Sequence, residues 1–410
     1  MTDSISGIKK LFFGILTFFL SLVIFLILLE VIFRIFRDPP NPLTAITQIK
    51  TNYLFEPNTV LDHQTNQFNE FNYTAHINSH GYRGEEYIVP KPSDEKRIMV
   101  IGDSFTFGVG ANDDETIPVL LEQYLKKSDF RINVINGGAG HASPIYHYVN
   151  LENFHLKAQP DLVVLMMDLT DIQDDWRHER QAVFDENGKI KYFDQTYVDG
   201  KRSWWKWLIF YSASWAQFDR KVLRAFEKKQ LLGRDKYTHI TDKKMRVKGY
   251  IANTPDGTYP DDVILQYDGL LFMRGKLRER LIRKQFERTA KYLDQIKALL
   301  DKEGIPMLLV IYPYGIYVGA DEWNEGRFTW GFDKDKLYTD YFPFELVAEY
   351  AKKRDMPFLN ITPNLISARR LSPEPFYFKW DGHMTPAANR VAAQEISAFL
   401  LKTKIIPARN

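Results

Sequence analysis

The sequence predicts a doubly wound α/β fold, a parallel sheet with helices on both faces. Two observations carry that expectation: five short apolar runs lie between residues 97 and 362, and several of the segments between them show helical periodicity. The runs are RIMVIG from Arg97, INVING from Ile132, DLVVLMM from Asp161, PMLLVIYP from Pro306 and MPFLNIT from Met356. Their apolarity is continuous rather than alternating, which marks strands buried on both faces. The order reads β-α-β-α-β, a long break, then α-β-α-β-α, the alternation of a parallel sheet crossed over by helices.

In chain order, the first element is of another kind. Leu11 to Leu29 is an uncharged run, LFFGILTFFLSLVIFLILL. About 19 residues at 1.5 Å each nearly match a hydrocarbon core of about 30 Å, so one membrane span over 11–36 is expected. The alternative is a cleaved signal peptide, whose apolar part is usually about 7–15 residues ending in a small-residue cleavage site. Here Glu30, Val31, Ile32, Phe33 and Arg34 follow instead. Lys9 and Lys10 before the run balance Arg34 and Arg37 after it, so charge does not orient it. A short tail at 1–10 and a large body after the span favour an inside N-terminus and an extracytoplasmic body, in the periplasm or at the cell surface.

RDPPNP, Arg37 to Pro42, should end the helix, because proline removes a donor and restricts the residue before it. Residues 37–92 read as a linker and a lead-in segment lying on the main domain, with turns at Gly81 and Gly84 in INSHGYRGEEY. The α/β domain is expected over 93–405. Within it TIPVLLEQYLKK from Thr116 is a helix, as is FERTAKYLDQIKALL from Phe286. The latter presents Phe286, Ala290, Leu293 and Leu300 on one face before Gly304 ends it. A last helix runs from about Pro386 to Leu401. The break, 177–282, is too long for a bare loop and too polar for a second core, so a partly helical insert or lid is expected. It contains SWWKWLIFYSASWAQF, Ser203 to Phe218, which either packs the insert onto the sheet or offers a platform for sugar, acyl chain or bilayer.

Composition removes several function classes. The 54 basic and 52 acidic residues are spread along the chain and leave a formal net charge of +2, so no nucleic-acid partner is expected. Cysteine is absent, which removes disulfides, thiolate nucleophiles and Cys-ligated zinc. No cofactor is expected. Asp168, Asp171, Asp174 and Asp175 are acidic enough to suggest a metal, but no His or Cys lies at ligand spacing, and they read as solvated loop carboxylates.

The chemistry centres on IGDSFTFG from Ile101. A strand delivering Gly102, Asp103 and Ser104 to its carboxyl end puts a hydroxyl at the mouth of the sheet, where ligands bind in such folds. The stretch does not fit the G-x-S-x-G elbow, since Thr106 stands at the second glycine. Taken alone it reads equally as a turn in which Asp and Ser cap the next helix. A second element changes the balance: DGHMTP places Asp381 and His383 just before the final helix. A serine nucleophile needs a base, and the base an orienting partner, which is either Asp381 or a backbone carbonyl.

With these stretches in hand, the chain resembles the SGNH, or GDSL, family of serine esterases and acyltransferases over roughly Ile77 to Lys402, the insert excepted. The resemblance implies a flavodoxin-like three-layer sheet, with Ser104 as nucleophile, His383 as base and Asp381 as its partner. NGGAGHAS resembles the family's second block and implies Gly140 as a backbone oxyanion donor. The spacing of DGH is one residue shorter than the commonest form, though a D-x-H variant is familiar. The third block departs: where the family has Gly-Asn-Asp, MMDLTDIQDD puts Thr170 in the Asn place, so a hydroxyl of shorter reach is expected to join the oxyanion hole. Membrane-tethered relatives commonly act on O-acetyl groups of envelope polysaccharides, so the implied partner is an acylated glycan. Lipase or phospholipase chemistry remains the variant within this class. A membrane-anchored binding or assembly protein that keeps the fold without the chemistry is the alternative outside it.

Overall fold

The computed structural model describes residues 2–36, 54–66, 68–128, 131–194, 197–198, 201–202, 276–327 and 332–406. The proline-rich linker at Arg37–Pro42 and the aromatic segment Ser203–Phe218 lie outside the described residues. Two compact units are distinguished. The smaller contains the N-terminal helix and four short strands from the start of the expected insert; the larger contains every other element.

In the smaller unit α1 is Thr2–Phe36, a single uninterrupted helix. Its stretch Phe12–Ile32 has a mean hydropathy of 2.9 with none of it buried, long and apolar enough to cross a membrane by length and composition.

In the larger unit β1, Val60–Gln64, pairs antiparallel with β2, Tyr73–His76. There follow β3, Lys96–Gly102, the one-turn α2, Ser104–Phe107, and α3, Ile117–Lys126. Next come β4, Ile132–Gly138, α4, Pro144–Asn153, β5, Leu162–Met167, and α5, Asp171–Glu179. The smaller unit then contributes two hairpins, β6, Ala182–Phe184, with β7, Ile190–Phe193, and β8, Tyr197–Val198, with β9, Lys201–Arg202. The larger unit resumes with α6, Lys276–Lys302, which begins ten residues before the helix expected at Phe286. It closes with β10, Met307–Ile311, α7, Gly315–Val318, α8, Phe342–Lys353, β11, Phe358–Asn360, α9, Thr362–Leu371, and α10, Pro386–Thr403.

Five strands form one parallel sheet in the order β11-β10-β5-β3-β4, so the five expected strands are all present. Counted along the sheet this is 2-1-3-4-5, the flavodoxin-like order, whose direction reverses between β3 and β5. The central strands are buried on both faces, because α3 and α10 pack together on one side while α4, α5 and α6 pack together on the other. Each fully buried Val, Leu or Ile in β3, β5 and β10 contributes about 1.5–3 kcal/mol by leaving water. Removing one, for example by Leu165→Ala, costs about 2–5 kcal/mol with the cavity included.

The lead-in segment is tied to this core by Arg83. Its guanidinium donates to Asp113 at 2.7 Å and to the carbonyls of Phe107, Gly108, Thr74 and Ala111 at 2.6–3.2 Å. Four of those five acceptors follow Ser104 within ten residues, so a buried arginine of the same compact unit, 21 positions before Ser104, fixes the turn after the candidate nucleophile.

Candidate active site

Ser104 stands at the reversal point of the sheet because β3 stops there and α2 begins. Asp103 caps that helix, its Oδ1 accepting Phe105 N–H at 2.9 Å and Tyr312 O–H at 2.7 Å. Two glycines let the backbone fold this tightly. A Cβ on Gly102 would lie 2.1 Å from Thr106 Oγ1, and one on Gly138 would lie 2.2 Å from Phe107 N, so α2 sits directly on the ends of β3 and β4.

His383 comes from a turn held on several sides. Phe378 N–H donates to His383 O at 3.2 Å and Thr385 N–H to Phe376 O at 2.9 Å, making a narrow loop with Trp380, Asp381 and Gly382 at its tip. The buried Glu322 carboxylate accepts N–H of Phe376 and Tyr377 at 2.7–3.1 Å and the Arg369 guanidinium. Asp381 Oδ1 accepts His383 N–H at 3.0 Å and the Nδ1 hydrogen of the same residue. The opposite ring nitrogen, Nε2, lies 2.7 Å from Ser104 Oγ, across 279 positions of chain. Ser104, His383 and Asp381 are therefore brought into one hydrogen-bonded line, and Phe105 packs on the imidazole with ring centroids 4.8 Å apart.

The charges around this line follow from burial. Burial by itself lowers the His383 value, but the hydrogen bond and charge of Asp381, with Asp103 and Asp168 behind it, outweigh that and hold the imidazole above its ordinary 6.5. Burial likewise raises Asp381, and the His383 contacts together with an Asn66 hydrogen bond reverse it, leaving the carboxyl below its ordinary value. Behind the serine the balance goes the other way. Burial, then the charge of Asp168, pushes Asp103 up to about 7 in spite of its Tyr312 and Phe105 hydrogen bonds. Burial also raises Asp168, and raises Asp171 strongly with Asp168 and Asp103 adding to it.

The acidic run after β5 is thus not a set of solvated loop carboxylates. Asp168 and Asp175 have no exposed surface, and Asp171 and Asp174 are buried as well. The reason is local: Asp168 Oδ1 accepts N–H of Thr170 and Asp171 and so starts α5, while Asp171 Oδ2 accepts Asp168 N–H at 2.9 Å. Asp175 accepts Ile145 N–H at 2.9 Å and caps α4. Among the described residues no group of three or more His, Asp or Glu is arranged to hold a metal ion. Close by, Ser143 Oγ meets His178 Nδ1 at 2.8 Å, a second serine–histidine contact. Ser143 is fully buried, so this contact braces α4 against α5 and offers no hydroxyl to a substrate.

The two expected oxyanion residues stand differently. Gly140 follows β4 on an open stretch where a Cβ would meet nothing within 4 Å, and its N–H, like that of Ser104, donates to no other group among the described residues. Thr170, half-buried, has its hydroxyl turned to Asp168, donating to Oδ1 at 2.7 Å. The single hydroxyl hydrogen is thereby used on a carboxylate, which no spacing argument from the sequence reveals. Sequence reasoning also passed over Asn66, Glu70, Glu322 and Tyr312, polar residues without a motif, each with a partner in the site that lies tens to hundreds of positions away.

Residues 263–410 match the family model described as SGNH hydrolase-like domain, acetyltransferase AlgX. The match takes in Asp381 and His383 and stops short of Ser104. No curated protein matches the chain by sequence. Among solved structures, an acetyl xylan esterase is similar at 11% identity over 74% of this chain and 98% of its own, with a TM-score of 0.36. A GDSL-like lipase from Bacteroides thetaiotaomicron is similar at 12% identity over 77% and 93%, with a TM-score of 0.33.

Proposed function

We propose that this chain, whose residues 263–410 match an SGNH hydrolase-like family model, is a serine-dependent carboxylic-ester hydrolase or O-acyltransferase working through an acyl-enzyme on Ser104. The observation that carries the reading is the 2.7 Å contact between Ser104 Oγ and His383 Nε2. In the free site Ser104 O–H donates to Nε2, and Nδ1–H donates to Asp381. As Ser104 Oγ attacks an ester carbonyl, its proton passes to Nε2 and the carbonyl oxygen becomes an oxyanion. The ring is then a cation beside a carboxylate held ionised, so the charge formed in the transition state is matched in place. When the C–O bond breaks, the same proton goes to the leaving alkoxide. An acceptor hydroxyl, from water or a sugar, then attacks the acyl-enzyme carbonyl and gives its proton to Nε2; the bond from the acyl carbon to Ser104 Oγ breaks, Oγ takes that proton back, and the acid or the new ester leaves.

The N–H groups of Ser104 and Gly140 are the donors assigned to the oxyanion. A third from Thr170 would require its hydroxyl to leave Asp168, and one missing donor typically costs about 100- to 1000-fold in turnover. A slow or tuned enzyme fits this better than a fast one. A binding protein that has lost its chemistry has no need to keep Ser104 and His383 in hydrogen-bond reach, so the contact favours the enzyme.

The substrate class is taken to be an acylated glycan, on the resemblance to tethered O-acetyl esterases and on the acetyltransferase named in the family match. In this reading α1 anchors the chain with its N-terminus inside and the α/β domain outside the cytoplasm. The test is a burst of aryl product from an aryl acetate, abolished in Ser104→Ala. The absence of a burst with any short ester would overturn the assignment.

A further inference from the structure

Two side chains of the lead-in segment, Asn66 and Glu70, converge on the turn that carries His383. Glu70 Oε1 accepts Trp380 N–H at 2.8 Å and Oε2 accepts Asp381 N–H at 2.8 Å. Oε2 also accepts a hydrogen of Asn66 Nδ2 at 2.8 Å. The Asn66 amide is engaged on both sides. Its Oδ1 accepts N–H of Phe68 and Glu70 at 3.0 and 3.1 Å, and its side chain also hydrogen-bonds the Asp381 carboxylate. The Phe68 ring stacks on the Trp380 indole with centroids 4.4 Å apart.

This arrangement is more than a surface contact. Asp381 sits at the tip of a loop, two residues from the histidine it orients, and Glu322 secures only the base of that loop. At the tip the backbone N–H groups of Trp380 and Asp381 point outward from the loop toward the lead-in segment. A carboxylate taking three N–H donors makes directional bonds, and here it joins the peptide planes on either side of the Trp380 Cα to a segment 310 positions earlier.

We propose that Glu70, held in place by Asn66, is a positioning residue: it fixes the Asp381 backbone so that the carboxylate keeps the His383 ring directed at Ser104. The inference rests on the reading of these three residues as the reacting line. It gives the segment before the domain a part in the chemistry that its position in the sequence does not suggest. The titratable groups facing His383 are Asp381, Asp103, Asp168 and His141, and only the first is attached to the loop that Glu70 holds.

The test uses the full-length chain in detergent with Glu70→Gln and Glu70→Ala. Glutamine keeps one acceptor oxygen and sets an NH2 group against an N–H donor; alanine removes both acceptors. Displacement of a catalytic group by about 1 Å costs on the order of 100-fold, so kcat on an aryl acetate is expected to fall about tenfold for Gln and about 100-fold for Ala, with KM within about twofold. The NMR titration midpoint of the His383 ring, assigned by its absence in His383→Gln, is expected to fall in both variants. Burial, which lowers it, is then opposed by a loosened Asp381. A brace that only stabilises the fold would lower the melting temperature while leaving kcat of folded protein and the His383 midpoint at parental values, and that result overturns the proposal. Should Glu70→Ala not fold, Glu70→Gln decides by the same two readouts. The midpoint needs no turnover, so a parent without esterase activity would defeat the proposed function while the midpoint still judges the brace.

Discussion

Replacing Asp381 by Asn isolates the electrostatic part of the proposed mechanism. Asp381 Oδ1 accepts both His383 N–H at 3.0 Å and the ring Nδ1 hydrogen. An Asn carbonyl oxygen can occupy the same point, so the ring keeps its direction and chiefly the charge is lost. In the parent, burial lowers His383, and Asp381 foremost among the neighbouring groups reverses this, holding the ring above 6.5. A hydrogen bond to a charged group contributes about 1.5–3 kcal/mol against about 0.5–1.5 for a neutral one. The difference, about 1–1.5 kcal/mol, is about one pH unit. The base must be neutral to accept the serine proton, so the acid limb of kcat/KM should lie above pH 6.5 in the parent and about one unit lower in Asp381→Asn. Turnover on the plateau should fall at least about tenfold, because the imidazolium formed in the transition state loses the same stabilisation. The assay is kcat/KM for an aryl acetate between about pH 5 and 9. Acid limbs at one pH in parent and variant would show that Asp381 does not tune His383, and the backbone-carbonyl alternative would replace it.

Two further outcomes concern stability. Gly138→Ala would put a methyl 2.2 Å from Phe107 N and 2.6 Å from Thr106 C, backbone atoms that cannot rotate away. The expected loss is about 3 kcal/mol or more, seen as a melting temperature lower by several degrees; an unchanged melt would mean that α2 does not pack on β4 as described. His147 is buried and its value is lowered by burial to about 3, with the charge of His155 adding to it. Its folded value lies below the unfolded one, so the unfolded chain takes up the proton first and stability is lost as pH falls below 6.5. Between pH 6.5 and 5 this amounts to about 2 kcal/mol. His147→Leu should flatten the acid-side fall in denaturant stability by that amount, and a parallel curve would count against a buried neutral ring.

The sheet was legible because its strands are covered on both faces, and a strand of that kind has to be apolar along its whole length. RIMVIG, INVING and DLVVLMM satisfy that in sequence alone, and each corresponds to a strand within about a residue at either end. The start of α6 was not legible, since Lys276 to Gln285 is highly charged and its helical stripe is narrow. The acidic run after β5 misled for a related reason: carboxylates that cap helix starts have the same composition as carboxylates in water.

Residue order and type were enough to give the class of the fold, one apolar helix at the N-terminus, and the stretches that bring a serine, a histidine and an aspartate to strand or loop ends. Those are properties of local pattern, fixed by periodicity and residue type. Packing of the whole chain was needed to show that Ser104 and His383 meet at 2.7 Å, that the Thr170 hydroxyl donates to Asp168, and that Glu70 accepts the Asp381 N–H. Each of these is a hydrogen bond whose partner is chosen by packing, and a donor's choice between two acceptors leaves no mark on the spacing of residues along the chain.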